Sequence, residues 1–180
     1  MAVESSQQDV ETSYAQRMSN LRVQFAHGLE SSPQGNKARQ LSQHFVTETP
    51  AMNTRDFESC VALHAGTAMR FQPDVLVGSS FGGAVAVALL ERNLYRGPTL
   101  LLAQAAVMYR ASVRLPANVR VVLVHAPEDE VVPFAGSLQL AASGTRGWVE
   151  LIERSDNHAL SKLIESGELI DLVKRTAQMP

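Results

Sequence analysis

The chain has 180 residues, 45% of them hydrophobic and 19% charged, which suits one globular domain large enough to cover a sheet and leaves little room for a second. Its net charge of −2, with both signs dispersed, argues against nucleic acid or an anionic membrane as a partner. Its one cysteine, Cys60, cannot form an internal disulfide and lies among Phe57, Val61, His64 and Ala68 at helical spacing, which makes it a core residue.

Residues 1–20 are polar and carry Glu4, Asp9 and Glu11 without an apolar core, so they read as a flexible extension, with a short helix near Val10 to Met18, rather than a signal or transit peptide. Residues 21–180 read as a single domain. No apolar run approaches the ~18–20 residues of a membrane span, so a cytoplasmic protein is expected. Leu21 to Ala26 alternates as a strand and runs into His27-Gly28-Leu29. Gln34 to His44 predicts a helix, Phe45 to Thr47 a short strand, and Thr54 to Phe71 a helix capped by Asn53 or Thr54.

Val75-Leu76-Val77 predicts a strand covered on both faces, and the small apolar run Ala84 to Leu90 a helix buried nearly all round. Between them Gly78-Ser-Ser-Phe-Gly82 matches G-x-S-x-G, with Ser80 at its centre. The motif alone recurs by chance in roughly one sequence in twenty of this length. Its place between a strand and a small-residue helix is what makes it specific. A phosphate-binding loop would need a Lys after the last Gly, where Ala84 stands.

Thr99 to Ala103 predicts the next buried strand, and Gln104 to Asn118, weakly periodic, a loop too short for a lid domain. Val119 to Val124 is a further strand, ending in His125-Ala-Pro-Glu-Asp129-Glu-Val-Val-Pro133; Phe134 to Ala142 is a short helix. Trp148 to Glu153 alternates as a last strand, Arg154 to His158 is a loop, and a closing helix follows, weakened at Gly167. Strands alternating with helices at this spacing imply βαβ crossovers: a three-layer α/β sandwich with a mostly parallel sheet of about six strands and helices on both faces.

In such a sheet reactive groups gather beyond the carboxyl ends of the strands. Ser80, Asp129 and His158 fall at such ends, and Ser, Asp and His in that order resemble the chain order of the α/β-hydrolase triad. With His27-Gly28, the Ser80 elbow and His125-x-x-x-Asp129-x-x-Val132-Pro133, the chain from Leu21 to Ala177 resembles the α/β-hydrolase superfamily. Its His-Gly-Leu-Glu-Ser-Ser-Pro-Gln-Gly-Asn-Lys-Ala38 stretch is similar to that of small bacterial esterase-like hydrolases without a cap domain.

The resemblance implies that Ser80 attacks an acyl carbon, His158 serves as general base, Asp129 orients His158, and the backbone N–H groups of Phe81 and Leu29 form the oxyanion hole. A small carboxylic ester or thioester would be cleaved through an acyl-Ser80 intermediate, with no cofactor. A catalytically silent binding protein and an amidase or peptidase with the same triad are the alternatives. Asn157 stands where the family often has Gly before the His, and Asn also adopts positive φ. Asp156 is expected to shape the loop. His27 and His125 read as structural histidines bonded to backbone, and no Cys cluster or H-x-x-x-H pair supports a metal site. Tyr109, Arg110 and Arg114 sit at the predicted carboxyl-end rim, either as a clamp for an acidic substrate or as solvated surface. Oligomeric state is left open by the sequence.

Overall fold

The structure, a computed structural model, describes Met18 and residues 20–178. The extension expected over the first residues lies largely outside the described residues. Six strands form one all-parallel sheet: β1 (Arg22–Ala26), β2 (Val46–Glu48), β3 (Val75–Ser79), β4 (Thr99–Leu102), β5 (Val121–His125) and β6 (Val149–Glu153), in spatial order β2-β1-β3-β4-β5-β6. The described helices are α1 (Asn36–His44), α2 (Phe57–Phe71), α3 (Phe81–Glu91), α4 (Ala106–Tyr109), α5 (Phe134–Ala142), α6 (Ser161–Glu165) and α7 (Glu168–Gln178). None is long and apolar enough to cross a membrane.

The period-2 alternation of the strands sorts their side chains between two cores. Val23, Phe25, Val75, Val77, Leu100, Leu102, Val122 and Val124 face α1, α6 and α7. Leu76, Leu101, Val121 and Leu123 face α2, α3 and α5. Every residue of α3 from Phe81 to Leu90 is buried, as its run of Ala, Val, Gly and Leu anticipates. Cys60 is a core residue whose thiol donates to the Asn53 carbonyl; burial, then the nearby Asp56, pushes it up from the ordinary thiol value.

Three local expectations change. The cap of α2 is Asp56, whose side chain accepts from Ser59 N–H at 3.0 Å, so Asn53 to Arg55 remain outside the helix. A carboxylate at that position satisfies an otherwise unpaired N–H and complements the helix dipole. The closing helix is two, broken at Gly167, which takes φ +79. Part of the Gln104–Asn118 segment folds as α4, a turn too short for its periodicity to register in the sequence.

The chain runs from β1 outward to the edge strand β2, then back across β1 to β3. The direction of winding therefore reverses between β1 and β3, and beyond their carboxyl ends lies the crevice where doubly wound sheets bind ligands. His27-Gly28 leaves β1 and Ser80 leaves β3 at that crevice.

Candidate active site

Ser80 joins β3 to α3 with φ 53 and ψ −116, a conformation costly for a residue with a Cβ. Its surroundings over-determine it: Ser80 N–H donates to the Leu102 carbonyl (2.9 Å), and the Ser80 carbonyl accepts from Ala105 N–H (3.1 Å) and Ala84 N–H (3.2 Å). The glycines at either side are there for space. A Cβ on Gly82 would stand 2.0 Å from the Ala26 carbonyl oxygen, and one on Gly78 2.7 Å from that of Gly82.

The structure brings Ser80, His158 and Asp129 together from three loops. His158 Nε2 is 3.0 Å from Ser80 Oγ, and His158 Nδ1 is 2.7 Å from Asp129 Oδ2. The Asp129 side chain is fully buried, whereas that of His158 keeps 23% exposure. Asp129 Oδ1 accepts from the N–H groups of Val131 (2.8 Å) and Val132 (2.9 Å), and Oδ2 also meets His125 Nε2 at 3.1 Å. Two oxygens with four donors form a saturated carboxylate. Burial by itself raises its pKa, but the Val132 N–H, His158 and the Val131 N–H together outweigh burial and hold the carboxyl below its ordinary range.

The His158 loop is held from both sides. Asp156 accepts from Asn157 N–H (2.8 Å), Lys162 N–H (3.2 Å) and Leu163 N–H (3.0 Å), so it shapes the loop at the start of α6. Burial opposes its ionisation, and those N–H groups outweigh it. Lys37 of α1 donates to the Ala159 carbonyl at 2.6 Å; desolvation, only partly offset by Asp156, brings its pKa down to about 8. The left-handed residue here is Leu160 (φ 53), not Asn157, whose side chain instead pairs with Ser161. Leu160 is completely buried, and core packing holds it there in place of the expected glycine-like turn.

On the other side of Ser80, a Cβ on Gly28 would lie 3.4 Å from Ser80 Cβ, so the His27-Gly28-Leu29 loop runs against Ser80. The Gly28 carbonyl accepts from His27 Nδ1 (2.9 Å) and Ser31 N–H (3.3 Å), and His27 Nε2 accepts from Met52 N–H (3.4 Å). Because the peptide is planar and trans, pinning the Gly28 carbonyl also fixes the direction of Leu29 N–H. His27 is thus bonded to backbone, as its position suggested. Phe81 N–H lies at the start of α3, and its ring meets Phe57 and Tyr109 edge-on at 5.9 and 5.4 Å.

Tyr109 stacks on Phe57 (5.2 Å) and stays 42% exposed at the rim. Arg110 pairs with Glu91 (2.8 Å), and the Arg114 N–H donates to the same carboxylate (2.9 Å). Glu91 ends α3, about 16 Å along the helix from Ser80 at ~1.5 Å per residue. The structure therefore places Tyr109 near the elbow and turns Arg110 away from it. Beside Tyr109, a pocket of about 270 Å³ opens between α4 and α5, lined by residues including Val107, Met108, Val132, Pro133 and Gly136. This pocket leaves no signal in the sequence, because it depends on a single helical turn meeting another helix.

His125 is more than a strand-end residue bonded to backbone. It meets the Val132 carbonyl (3.1 Å), Asp129 and Ser137 (2.7 Å). The spacing His125-x-x-x-Asp129 was the signal for that contact.

No family model and no curated protein matches the chain. Solved structures do. A protein assigned to the α/β hydrolase superfamily from Xanthomonas campestris pv. campestris is 23% identical, with TM-score 0.69, over 87% of this chain and 99% of that one. The esterase domain of a Rhodothermus marinus protein is 15% identical, with TM-score 0.64, over 87% of this chain and 85% of its own. An α/β serine hydrolase homologue from Coxiella burnetii is 17% identical, with TM-score 0.63, over 86% and 84%. Together with the all-parallel strand order and the strained turn at Ser80, these likenesses identify the architecture as the α/β-hydrolase fold, in a compact form with no cap domain among the described residues.

Proposed function

We propose that the protein is a serine hydrolase that cleaves a small carboxylic ester or thioester through an acyl-Ser80 intermediate. The observation that carries the reading is the continuous contact from Ser80 Oγ through both nitrogens of His158 to a saturated, buried Asp129. A Ser hydroxyl is a weak nucleophile near neutral pH. His158 Nε2 takes its proton as the oxygen attacks, and Asp129 stabilises the cation that results. Phe81 N–H and Leu29 N–H receive the developing oxyanion, where one lost donor typically costs about 10²–10³ in kcat. His158 then returns the proton to the leaving alcohol or thiol, and water releases the acid by the reverse sequence.

The α4–α5 pocket supports the substrate class. Gln104 and Ala105, which line it just beyond β4, connect it to the elbow, since Ala105 N–H donates to the Ser80 carbonyl. At about 270 Å³ it falls just below the ~300–1,000 Å³ of sites for drug-sized ligands, which suits a short acyl or alcohol group. Reaction with a fluorophosphonate probe followed by mass mapping tests the proposal. Modification is expected at Ser80 alone and is abolished in Ser80→Ala; label retained in that variant, or mapped to Ser79, refutes it.

A further inference from the structure

His125 shares Asp129 Oδ2 with His158, so two imidazoles touch one carboxylate oxygen. Both compete for the same stabilisation of a cation. Catalysis as proposed above requires that the proton from Ser80 stay on His158.

The polar chain behind His125 settles which of the two can accept it. At one end, His125 Nε2 also lies 3.1 Å from the Val132 carbonyl, which can only accept, so Nε2 carries a proton. At the other end, Ala106 N–H can only donate, and it points at Gln104 Oε1 (2.7 Å). That contact turns the Gln104 amide nitrogen to Ser137 Oγ, to which it donates at 3.0 Å. Ser137, its oxygen so engaged, has one hydroxyl proton to direct, and its neighbour is His125 Nδ1 at 2.7 Å. The Val132 end places a proton on Nε2, and the Ala106 end, read inward, leaves Nδ1 as the acceptor for the Ser137 hydroxyl. Ser137 donates to Nδ1, and His125 is neutral with its proton on Nε2.

A proton added to Nδ1 would confront the Ser137 hydroxyl with a second donor and leave that hydroxyl's own proton without an acceptor in the chain. Gln104, Ser137 and His125 are all buried to within 1% exposure, so bulk water does not relieve the conflict. The other groups against the ring are Asp129, through which it senses His158, and the edge-on ring of Phe134 at 5.6 Å. Burial lowers the basicity of His125, and Asp129 and the Val132 carbonyl offset this only in part.

We propose that Gln104, Ser137 and His125 form a positioning relay that keeps His125 a neutral donor to Asp129, so that the catalytic cation forms on His158 alone. The proposal rests on the triad reading above. His125 touches no substrate, and it acts through Asp129.

The test combines imidazole ¹⁵N NMR of the full chain with kinetics. In wild type between pH 6 and 8, with resonances assigned through His125→Gln, His125 is expected as the neutral tautomer with Nε2 protonated and Nδ1 accepting. In Ser137→Ala it should become protonated toward pH 6. With an ester substrate, His125→Phe should lower kcat roughly 10- to 100-fold, the size expected for a lost hydrogen bond to a charged group, with KM within about two-fold. His125→Gln, which still offers an N–H, should recover most of that loss. An imidazolium or an Nδ1–H tautomer in wild type overturns the relay, as does full activity in His125→Phe. If His125→Phe fails to fold, the wild-type tautomer and Ser137→Ala still decide. A wild type that neither labels with fluorophosphonate nor turns over ester overturns the triad reading, while the NMR judges the relay separately.

Discussion

The loops that carry Ser80, Asp129 and His158 differ in kind from the α4–α5 rim beside them. Each of these three loops is tied by several hydrogen bonds: three to the Ser80 backbone, four donors to the Asp129 carboxylate, and Asp156 and Lys37 on either side of His158. The rim is built mainly from apolar contacts, to which Gln104 donating to Ser137 and Gln139 donating to the Ala111 carbonyl add two hydrogen bonds. Met108, Val131 and Leu138 are exposed there, and a Cβ on Gly136 would stand 2.8 Å from Val107 Cγ2, so α4 and α5 meet through small and aliphatic side chains. Hydrogen bonds fix direction and apolar contacts fix little beyond proximity. The bond-making groups are therefore held to one geometry, whereas the rim can take a range of apolar shapes.

The comparison is broken most severely at Asp129. Asp129→Asn keeps the shape but turns an acceptor into a partial donor facing two imidazoles and two backbone N–H groups, and it favours the wrong His158 tautomer. A kcat loss of order 10⁴ is expected. Glu128→Gln and Asp156→Asn should cost far less, since Asp156 accepts from the backbone N–H groups of Asn157, Lys162 and Leu163 and not from His158. The reverse ranking, measured by ester turnover, would show that the acid has been misassigned.

Beside the His27-Gly28-Leu29 loop the pinned half extends to His64, which is completely buried on α2 with Nδ1 accepting from Gln24 Nε2 at 2.9 Å. Burial, then the nearby His27, depresses it to about 4. An unfolded His binds a proton near ~6.5. Between those values the unfolded chain holds more protons than the folded one, so stability falls as pH falls from about 6.5 to 4, by roughly 2–3 kcal/mol from this group. His125 and Asp129, whose pKa values are also lowered, act in the same direction. Urea denaturation at several pH values should show a shallower slope for His64→Gln; an unchanged slope would mean that His64 is not the group responsible.

Much of this half was legible in the sequence, because each loop carries a residue whose chemistry is local: the glycines around Ser80, the His-Gly pair after β1, and Asp129 three residues before Val132. The six strands were legible for the same reason, their alternation being a short-range pattern. What stayed hidden depends on residues far apart in the chain. Gln104 and Ser137 meet across 33 positions, Lys37 reaches Ala159 across 122, and Leu160 takes its left-handed turn while completely buried in the core. The pocket belongs with these, since neither α4 nor α5 forms it alone.

The rim should respond in small increments. If the α4–α5 pocket receives the acyl chain, each methylene it covers adds ~0.8 kcal/mol, or about four-fold in kcat/KM, until the pocket is full. A volume of about 270 Å³ fills early, so kcat/KM should climb over the first few carbons from acetyl and be flat well before dodecanoyl. Gly136→Val, which crowds Val107, should shift the plateau to shorter chains without slowing the acetyl ester. A continued rise to dodecanoyl would place the acyl chain elsewhere.

The smallest effect is expected from the arginines. Arg110 would have to leave Glu91 to reach a substrate at Ser80, and Glu91 stands at the opposite end of α3. Its guanidinium side chain is half exposed, so the pair is solvent-screened and contributes about 0–1 kcal/mol to stability. Arg114 is tied to the same carboxylate by its backbone N–H, which leaves its side chain to act only over distance. At physiological salt the screening length is ~8 Å, about half the length of α3. Arg110→Ala and Arg114→Ala, separately and together, should therefore leave kcat/KM for a succinyl ester and its neutral isostere in the same ratio as wild type. A ratio that falls in the variants and is eroded by added salt in wild type would put at least one arginine over the cleft, with the Glu91 pairing broken when substrate binds.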